Sequence, residues 1–409
     1  MKNASWRHRF PTLDWCVFGQ DVWHWLVAVF IFASFTALAA FLFFHQAFAT
    51  PEQQFSTYGS DLLAHIRYAR NPDQQFHFPH RGFHYAVFFA SQWGHVSMEA
   101  AAALVLTASA ALMFTVLFYV LYREWMGQYG VVFIGILVSL LMTVTPIYAP
   151  FFNKNLYLGQ GSPSIWHNPT TIVVEPFAVI GFALTVYLLS QSWTIRKTSL
   201  ISLAACTLLI STFIKPNFVL VFIPSLAIFS VARSLWHRRW NDVFTAFVIA
   251  IPSVVLLIFQ CIRLTASGGF AIDFLTVWRL FTPNVFVSLL LALAFPLAYA
   301  AFHWRDILRS DALFLSWMCV LVGIMQFGLL REVGERWSQA NWGWGYCIAL
   351  QLLFLYTVAD FFGGISKGES SGKSWRLKWK EGITMLFLAL HGMGGVFYFA
   401  RFLAGGTYQ

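Results

Sequence analysis

Residues 22–45 read VWHWLVAVFIFASFTALAAFLFFH, an apolar run that contains no Asp, Glu, Lys or Arg. The hydrocarbon core of a bilayer is about 30 Å thick and is crossed by about 20 helical residues. The run is therefore long enough to span a membrane. It is also too long, and too poor in small residues before a cleavage site, to be a removable signal peptide.

The composition of the whole chain agrees with this first run. Of its 409 residues, 58% are hydrophobic and 11% are charged, and the mean hydropathy is +0.65. Soluble domains carry about 25% charged residues, so the chain belongs to the membrane class. We interpret the net charge of +9 as an excess of Lys and Arg beside anionic lipid, and we expect no nucleic-acid partner.

Eleven segments are candidate membrane spans, which predicts an all-α polytopic membrane protein with about 11 transmembrane helices in a single domain, 1–409. The spans are 22–45, 97–121, 130–150, 169–190, 199–214, 217–231, 243–262, 284–302, 312–330, 344–362 and 383–400. The pair 199–231 is either two short helices around Lys215-Pro216-Asn217 or one kinked helix. Two helices place 16 Lys and Arg inside and 10 outside, as the positive-inside rule expects. The N-terminus is then cytoplasmic and the C-terminus lies outside.

This topology places most of the long connections on the outer face. The outer loops are 46–96, 151–168, 263–283 and 331–343, and the cytoplasmic loop 363–382 is expected to be a flexible linker. Segment 82–94 is apolar but too short to span, so it should lie in the membrane interface or beside a cavity. We therefore expect two juxtamembrane helices in the first outer loop, 46–96.

The first of these helices carries a carboxylate and an imidazole four residues apart. The stretch 58–70 reads YGSDLLAHIRYAR, and residues at positions i and i+4 share one face of a helix. Asp61 and His65 can therefore act together in proton transfer. The alternative is that Ser60 or Asp61 caps the start of the helix.

Further polar side chains in the outer loops are candidates for substrate binding. We expect them to hold phosphate, sugar hydroxyls or a sugar ring through cations, imidazoles, amides and a Trp face. They are Arg67, Arg70, His80, Arg81, His84, Trp166, His167, Asn168, Glu175 and Lys215. For the histidines and Trp166 the alternative is interfacial packing; for Lys215 it is a snorkelling anchor.

Metal or nucleotide chemistry has little support in the sequence. The histidine spacing H-x-x-H-x-x-x-H from His77 to His84 matches no zinc signature, so a divalent metal is possible but not favoured, and we expect no cofactor. The chain has no Gly-rich phosphate loop, no HExxH and no Gly-x-Ser-x-Gly.

The layout resembles the GT-C class of integral-membrane glycosyltransferases. The features that carry the resemblance are the eleven spans, the juxtamembrane helices of the first outer loop, and Asp61 soon after the first span, where that class keeps its catalytic acid. The resemblance implies transfer of a sugar from a polyprenyl-phosphate-linked donor to a glycan or lipid acceptor. It also implies a multi-pass protein of the inner (plasma) membrane, with its active site on the extracytoplasmic side.

Three other interpretations remain open. A polysaccharide polymerase or ligase of the cell envelope would share the topology, but it keeps its site in a larger late loop than 331–343. A membrane acyltransferase would need a catalytic histidine in a membrane funnel, for which His391 and His24 are the candidates. A secondary transporter would show inverted repeats and broken helices near the midplane.

Overall fold

The fold was taken from a computed structural model of the chain, which describes residues 22–53, 56–72, 80–125, 128–189, 191, 194–265, 269–334, 336–370 and 379–407. Within these ranges the chain is mostly helical. The helices are α1 (Val22–Ala47), α2 (Leu62–Ala69), α3 (Gly82–Gly94), α4 (Met98–Trp125), α5 (Val131–Thr143), α6 (Pro169–Leu189), α7 (Ile195–Ile214), α8 (Asn217–His237), α9 (Trp240–Thr265), α10 (Val285–Ile307), α11 (Asp311–Leu329), α12 (Gly343–Ser370) and α13 (Trp379–Leu403). Two strands, β1 (Phe270–Ile272) and β2 (Leu330–Glu332), form an antiparallel pair.

Ten helices of the described residues are long and apolar enough to cross a membrane. Their outward sides carry many exposed large apolar side chains, such as Phe30, Phe247 and Leu321, which bilayer lipid would cover. The predicted class, an all-α multi-pass membrane protein, is confirmed.

The third predicted span, 130–150, is only partly helical. Helix α5 ends at Thr143, and the chain then runs irregularly to Asn155. The prediction counted apolar residues, but Pro146 lacks the N–H that would bond to the Met142 carbonyl oxygen, which favours an end of the helix before it. Irregular backbone at membrane depth is tolerated where protein surrounds it, and Thr145 is fully buried.

His391, in the middle of α13, satisfies the backbone beside this irregular segment. Its Nδ1 donates to the carbonyl oxygen of Thr145 at 2.6 Å, and its Nε2 accepts from the backbone N–H of Phe295 at 3.4 Å. A Cβ added at Gly395 would lie 2.2 Å from the Thr143 carbonyl oxygen, so glycine permits the close approach of α13. His391 is thus a structural link.

The other acyltransferase candidate, His24, lies near the start of α1 and is exposed. His391 is buried and bonded to backbone groups, and His24 is exposed on α1. The structure gives no support to the acyltransferase interpretation.

We expect replacement of His391 by Leu to lower the free energy of unfolding by about 1–3 kcal/mol, because it leaves a buried carbonyl without a donor. His391→Asn keeps a donor near Thr145 and should lose less. Thermal unfolding in detergent micelles measures both variants. Equal midpoints for the wild type and His391→Leu would contradict the proposal that His391 stabilises the backbone around Thr145.

The pair 199–231 forms two helices, α7 and α8, separated by Lys215 and Pro216. The two-helix interpretation is confirmed, although both helices are longer than the predicted spans. Pro216 has no N–H to continue a helix from α7, which explains the break. The linker predicted over 363–382 is partly wrong, since α12 continues to Ser370; residues 371–378 lie outside the described ranges.

The predicted outer loops gather at one end of the helical bundle, which we call the site end. The backbone N–H of Tyr58 donates to the Gly405 carbonyl oxygen at 3.2 Å, and Asp273 pairs with Arg331 at 2.8 Å beside the β1–β2 pair. Helices α2 and α3 lie in the first of these loops, as predicted.

Candidate functional site

Asp61 lies at the start of α2, but its side chain makes no capping hydrogen bond within the described part of the chain. The cap is Ser60, whose Oγ accepts from the Leu62 N–H at 3.1 Å and donates to the His167 carbonyl oxygen at 2.9 Å. The backbone N–H of Asp61 donates to the same carbonyl at 3.0 Å. The first and second outer loops are therefore joined here, and the Asp61 carboxylate is available for another role.

Asn168 connects Asp61 to the rest of the site. Its Nδ2 donates to Asp61 Oδ2 at 3.1 Å. Its Oδ1 accepts from the Lys215 Nζ at 2.8 Å and from the Thr171 Oγ1 and backbone N–H at 2.8 and 3.1 Å. Since Oδ1 accepts these donors, the amide can turn only its N–H group toward Asp61. We call Asp61, Asn168, Thr171 and Lys215 the Asp–Asn–Lys network.

Lys215 lies where α7 ends, with 4% of its surface exposed. Besides Asn168, its Nζ donates to Thr171 Oγ1 at 2.6 Å, and it lies 4.5 Å from the centre of the Trp344 ring. A snorkelling lysine keeps its ammonium group in water. The Lys215 ammonium is instead buried and held by oxygens and an aromatic face, which does not fit a snorkelling anchor.

Burial and the neighbouring charge have opposite effects on the pKa values of Asp61 and Lys215. Burial raises the pKa of Asp61, while the hydrogen bond from Asn168 and the charge of Lys215 lower it. Burial lowers the pKa of Lys215 to about 7, against the opposing effect of Asp61. A carboxylate with a raised pKa is a stronger base than an ordinary Asp, and perturbed pairs of this kind are typical of functional sites.

Three histidines gather beside the network. His65 Nδ1 lies 2.9 Å from His84 Nε2, and the two rings are stacked. His80 precedes α3, and the charges of Lys215 and His84 both act on it. The first outer loop thus contributes imidazoles as well as the Asp61 carboxylate.

A glycine brings these histidines close to Lys215. A Cβ added at Gly82 would lie 2.8 Å from the Ile214 backbone. Because glycine has no Cβ, the start of α3 can lie against the end of α7, directly before Lys215.

These histidines are neutral in the folded protein. Burial, before any neighbouring charge, lowers the pKa of His80 to about 3, of His84 to about 4, and of His167 to about 3. Burial also lowers the pKa of His65 well below its usual value. Neutral imidazoles can exchange hydrogen bonds with uncharged hydroxyls, which suits a sugar. His77, which begins the predicted histidine spacing, lies outside the described residues.

We expect the protein to lose stability as the pH falls below 6.5, the ordinary pKa of a histidine. The unfolded chain takes up protons near pH 6.5, whereas folded His84 does so only near pH 4. Below pH 6.5 the free energy of unfolding should therefore fall by about 1.4 kcal/mol per pH unit for each histidine that stays neutral.

Thermal unfolding midpoints measured between about pH 7 and pH 5 check this dependence. His84→Asn should flatten it, and the matched change at the exposed His45 should not. Midpoints that do not change over this range would contradict the assignment of neutral histidines.

Trp166 and Glu175 lie below the network. Trp166 has 3% of its surface exposed and packs between Phe43 and Phe399, with ring centroids 5.9 and 4.6 Å away. Its ring faces are covered by protein, so this geometry does not provide the expected stacking on a sugar. Glu175 is buried one turn beyond Thr171 on α6, and its Oε1 has no hydrogen-bond partner among the described residues.

The cations of the first loop differ in their placement. Arg67 and Arg70 are exposed on the outer side of α2, and Arg70 pairs with Glu99 at 3.0 Å. Arg81 precedes α3, and its charge acts on His84. Arg81 is therefore a loop cation placed beside the histidines.

Two members of the site, Thr171 and Trp344, were not predicted from the sequence. Thr171 follows Asn168 by three residues and precedes Glu175 by four, so a helical-face argument could have found it. Trp344 lies at the start of α12, far from Lys215 in sequence, so no local spacing joins the two residues. Within the described ranges, no group of three or more His, Cys, Asp or Glu side chains could hold a metal ion.

Together, the fold and the site define a multi-pass helical membrane protein with an acid–amide–cation network at one end, in which the amide and the cation are buried and the acid is partly buried. No protein-family model matches the chain, and no curated protein matches it.

Solved structures of an archaeal oligosaccharyltransferase resemble the chain at low similarity. One is the Archaeoglobus fulgidus enzyme tethered with an acceptor peptide, with a TM-score of 0.41, 12% identity, and coverage of 95% of this chain and 56% of that one. Another is AglB from the same organism in complex with an inhibitory peptide and a dolichol-phosphate, with a TM-score of 0.36, 12% identity, and coverage of 94% and 56%. The chain thus spans little more than half of their length. Because the likeness is weak, function has to be argued from the geometry of the site.

Proposed function

We propose that the protein is a GT-C-like membrane glycosyltransferase. It would move a sugar from a polyprenyl-phosphate-linked donor to a glycan or lipid acceptor on the extracytoplasmic face of the inner membrane. The observation that carries the proposal is the Asp–Asn–Lys network, in which a carboxylate that does not cap its helix is oriented by an amide and a buried ammonium.

In the proposed reaction, Asp61 takes the proton of an acceptor hydroxyl as the acceptor oxygen bonds to the anomeric carbon of the donor sugar. The bond between that carbon and the phosphate oxygen breaks, and polyprenyl phosphate leaves with the electron pair. Asn168 fixes the orientation of Asp61. General-base assistance of this kind accelerates reactions by about 10²–10⁴-fold.

The leaving phosphate needs positive charge as it departs. Arg81 is proposed as its main partner, because it lies beside the neutral histidines. Lys215 adds a second positive charge while holding Asn168 and Thr171. Hydrogen bonds to sugar hydroxyls would come from the buried imidazoles of His65, His84 and His167 and from the partly buried imidazole of His80.

The proposal is tested by deleting the gene in the native host and analysing the membrane lipids by mass spectrometry. We expect one polyprenyl-phosphate-linked sugar to accumulate and one surface glycan or glycolipid to lose that sugar. A plasmid copy should reverse both changes, whereas an Arg81→Ala copy should reverse them poorly. Unchanged lipids together with unchanged surface glycans would contradict the proposal.

A further inference from the structure

The strand β1 and the two residues after it expose large apolar side chains at every second position. Phe270, Ile272 and Phe274 are 50%, 81% and 66% exposed, whereas Ala271 and Asp273 between them are partly buried. We call Phe270, Ile272 and Phe274 the apolar row. Contiguous exposed apolar side chains mark a surface that a membrane or another molecule covers.

The charged side chains of the strand pair are paired beside this row. Asp273 binds Arg331 at 2.8 Å. Glu332 lies opposite Phe270 in the register and so shares its face of the pair, but its side chain is only 12% exposed and its Oε2 lies 3.3 Å from Arg336 Nε. The accessible surface of the row is therefore apolar.

Backbone hydrogen bonds place Phe274 beside the last turn of α11. The N–H groups of Asp273 and Leu275, on either side of it, donate to the carbonyl oxygens of Leu329 and Gly328 at 2.8 and 2.7 Å. Helix α11 has 19 residues and is about 28.5 Å long, which barely crosses a hydrocarbon core of about 30 Å. The end of α11, and Phe274 with it, therefore lies at the border of the hydrocarbon core.

The residues around the row have the composition of a membrane interface. The ring of Phe270 contacts that of Trp342, with centroids 5.9 Å apart, and Trp337 is partly exposed. Trp side chains are enriched where hydrocarbon meets headgroups. Arg279, which follows the row, is exposed and carries the charge that a lipid phosphate attracts.

The exposed apolar surface continues on the helices before and after this segment. Ile262 near the end of α9 and Phe286 at the start of α10 are also largely exposed, and both helices are long and apolar enough to cross a membrane. Lipid covers such side chains on a spanning helix. The apolar row lies between these two helices in sequence, so lipid is the cover that its neighbours share.

We propose that Phe270, Ile272 and Phe274 insert into the bilayer leaflet at the site end, which makes the β1–β2 pair an interfacial membrane anchor. Acyl chains would cover the row, and a lipid phosphate would lie near Arg279. The anchor is tied to the second predicted outer loop, because the Trp278 Nε1 donates to the Gly159 carbonyl oxygen at 2.9 Å. The inference is independent of the proposed sugar transfer.

Fluorescence quenching in vesicles of phosphatidylcholine and phosphatidylglycerol tests the insertion. The full chain would carry Ala in place of Cys16, Cys206 and Cys261, since Cys319 and Cys347 are buried. The dye NBD is attached at Ile272→Cys. One quencher is a lipid with a spin label on its acyl chain near the headgroup, and the other is iodide, present on both sides of the bilayer.

Two labelled positions calibrate the measurement. Phe247→Cys lies on the lipid-facing side of α9, and Glu52→Cys lies at an exposed position of the first predicted outer loop. We expect the dye at Ile272→Cys to emit at shorter wavelength than at Glu52→Cys. It should be quenched by the spin-labelled lipid about as strongly as at Phe247→Cys, and only weakly by iodide.

Iodide quenching at Ile272→Cys as strong as at Glu52→Cys would overturn the proposal. So would protection from both quenchers, because a second copy or another protein would then cover the row. Thermal unfolding checks that the labelled protein is folded. Phe274→Cys provides a second position, with the same expected result, should the Ile272 variant fail to fold.

Discussion

Replacement of Asp61 by Asn should lower the rate of sugar transfer by about 10²–10⁴-fold, because an amide cannot take a proton from the acceptor hydroxyl. The fold should survive, since Ser60 makes the capping bond of α2 and an amide oxygen can still accept from Asn168. Initial rates in proteoliposomes measure the loss, and thermal unfolding checks the fold.

The matched control for this change is Glu52→Gln, an equivalent loss of charge at an exposed position of the same loop. It should keep the wild-type rate. A folded Asp61→Asn protein with near-normal transfer would leave Asp61 without a catalytic role, and the base would have to be sought elsewhere at the site end.

Replacement of Lys215 by Met should lower transfer by about 10²–10³-fold, the usual cost of losing one electrostatic group from a buried site. It removes the donor that holds Asn168 Oδ1 and the charge proposed to face the leaving phosphate. It should also shift the acidic limb of the pH–rate profile to higher pH, because the ammonium lowers the pKa of Asp61.

The pH shift separates an electrostatic role of Lys215 from a merely structural one. Lys154→Met, at an exposed position of the second outer loop, is the matched control and should change neither the rate nor the profile. A Lys215→Met protein that loses activity without moving the acidic limb would show that Lys215 does not act on the charge of Asp61.

The helical fold was predictable because lipid requires long apolar helices, and their lengths can be counted. Pro146 was a local signal for the early end of α5, but the group that satisfies the irregular backbone after Thr143 was not predictable, because His391 lies far away in sequence. Hydropathy records how apolar a segment is, but not where its carbonyl oxygens find donors.

The site was predictable in its members more than in its connections. Asp61 and the sequence Trp166-His167-Asn168 were predicted as site residues because they lie beside predicted spans. Their link through Asn168 Oδ1 to Lys215 depends on how α6 meets the end of α7, which no local pattern contains. Trp166 was expected to stack on a sugar, but an aromatic ring near a membrane surface is equally compatible with packing in the core, which is where Trp166 lies.

Transfer by purified protein in proteoliposomes tests the role of Asp61 as the base most directly. The donor would be the labelled polyprenyl-phosphate sugar that accumulates in the deletion strain, and the acceptor would be a lipid and glycan extract of that strain. We predict that the wild type releases one polyprenyl phosphate for each sugar transferred, and that Asp61→Asn releases almost none. Equal release by the two proteins, or no release by the folded wild type, would contradict this role.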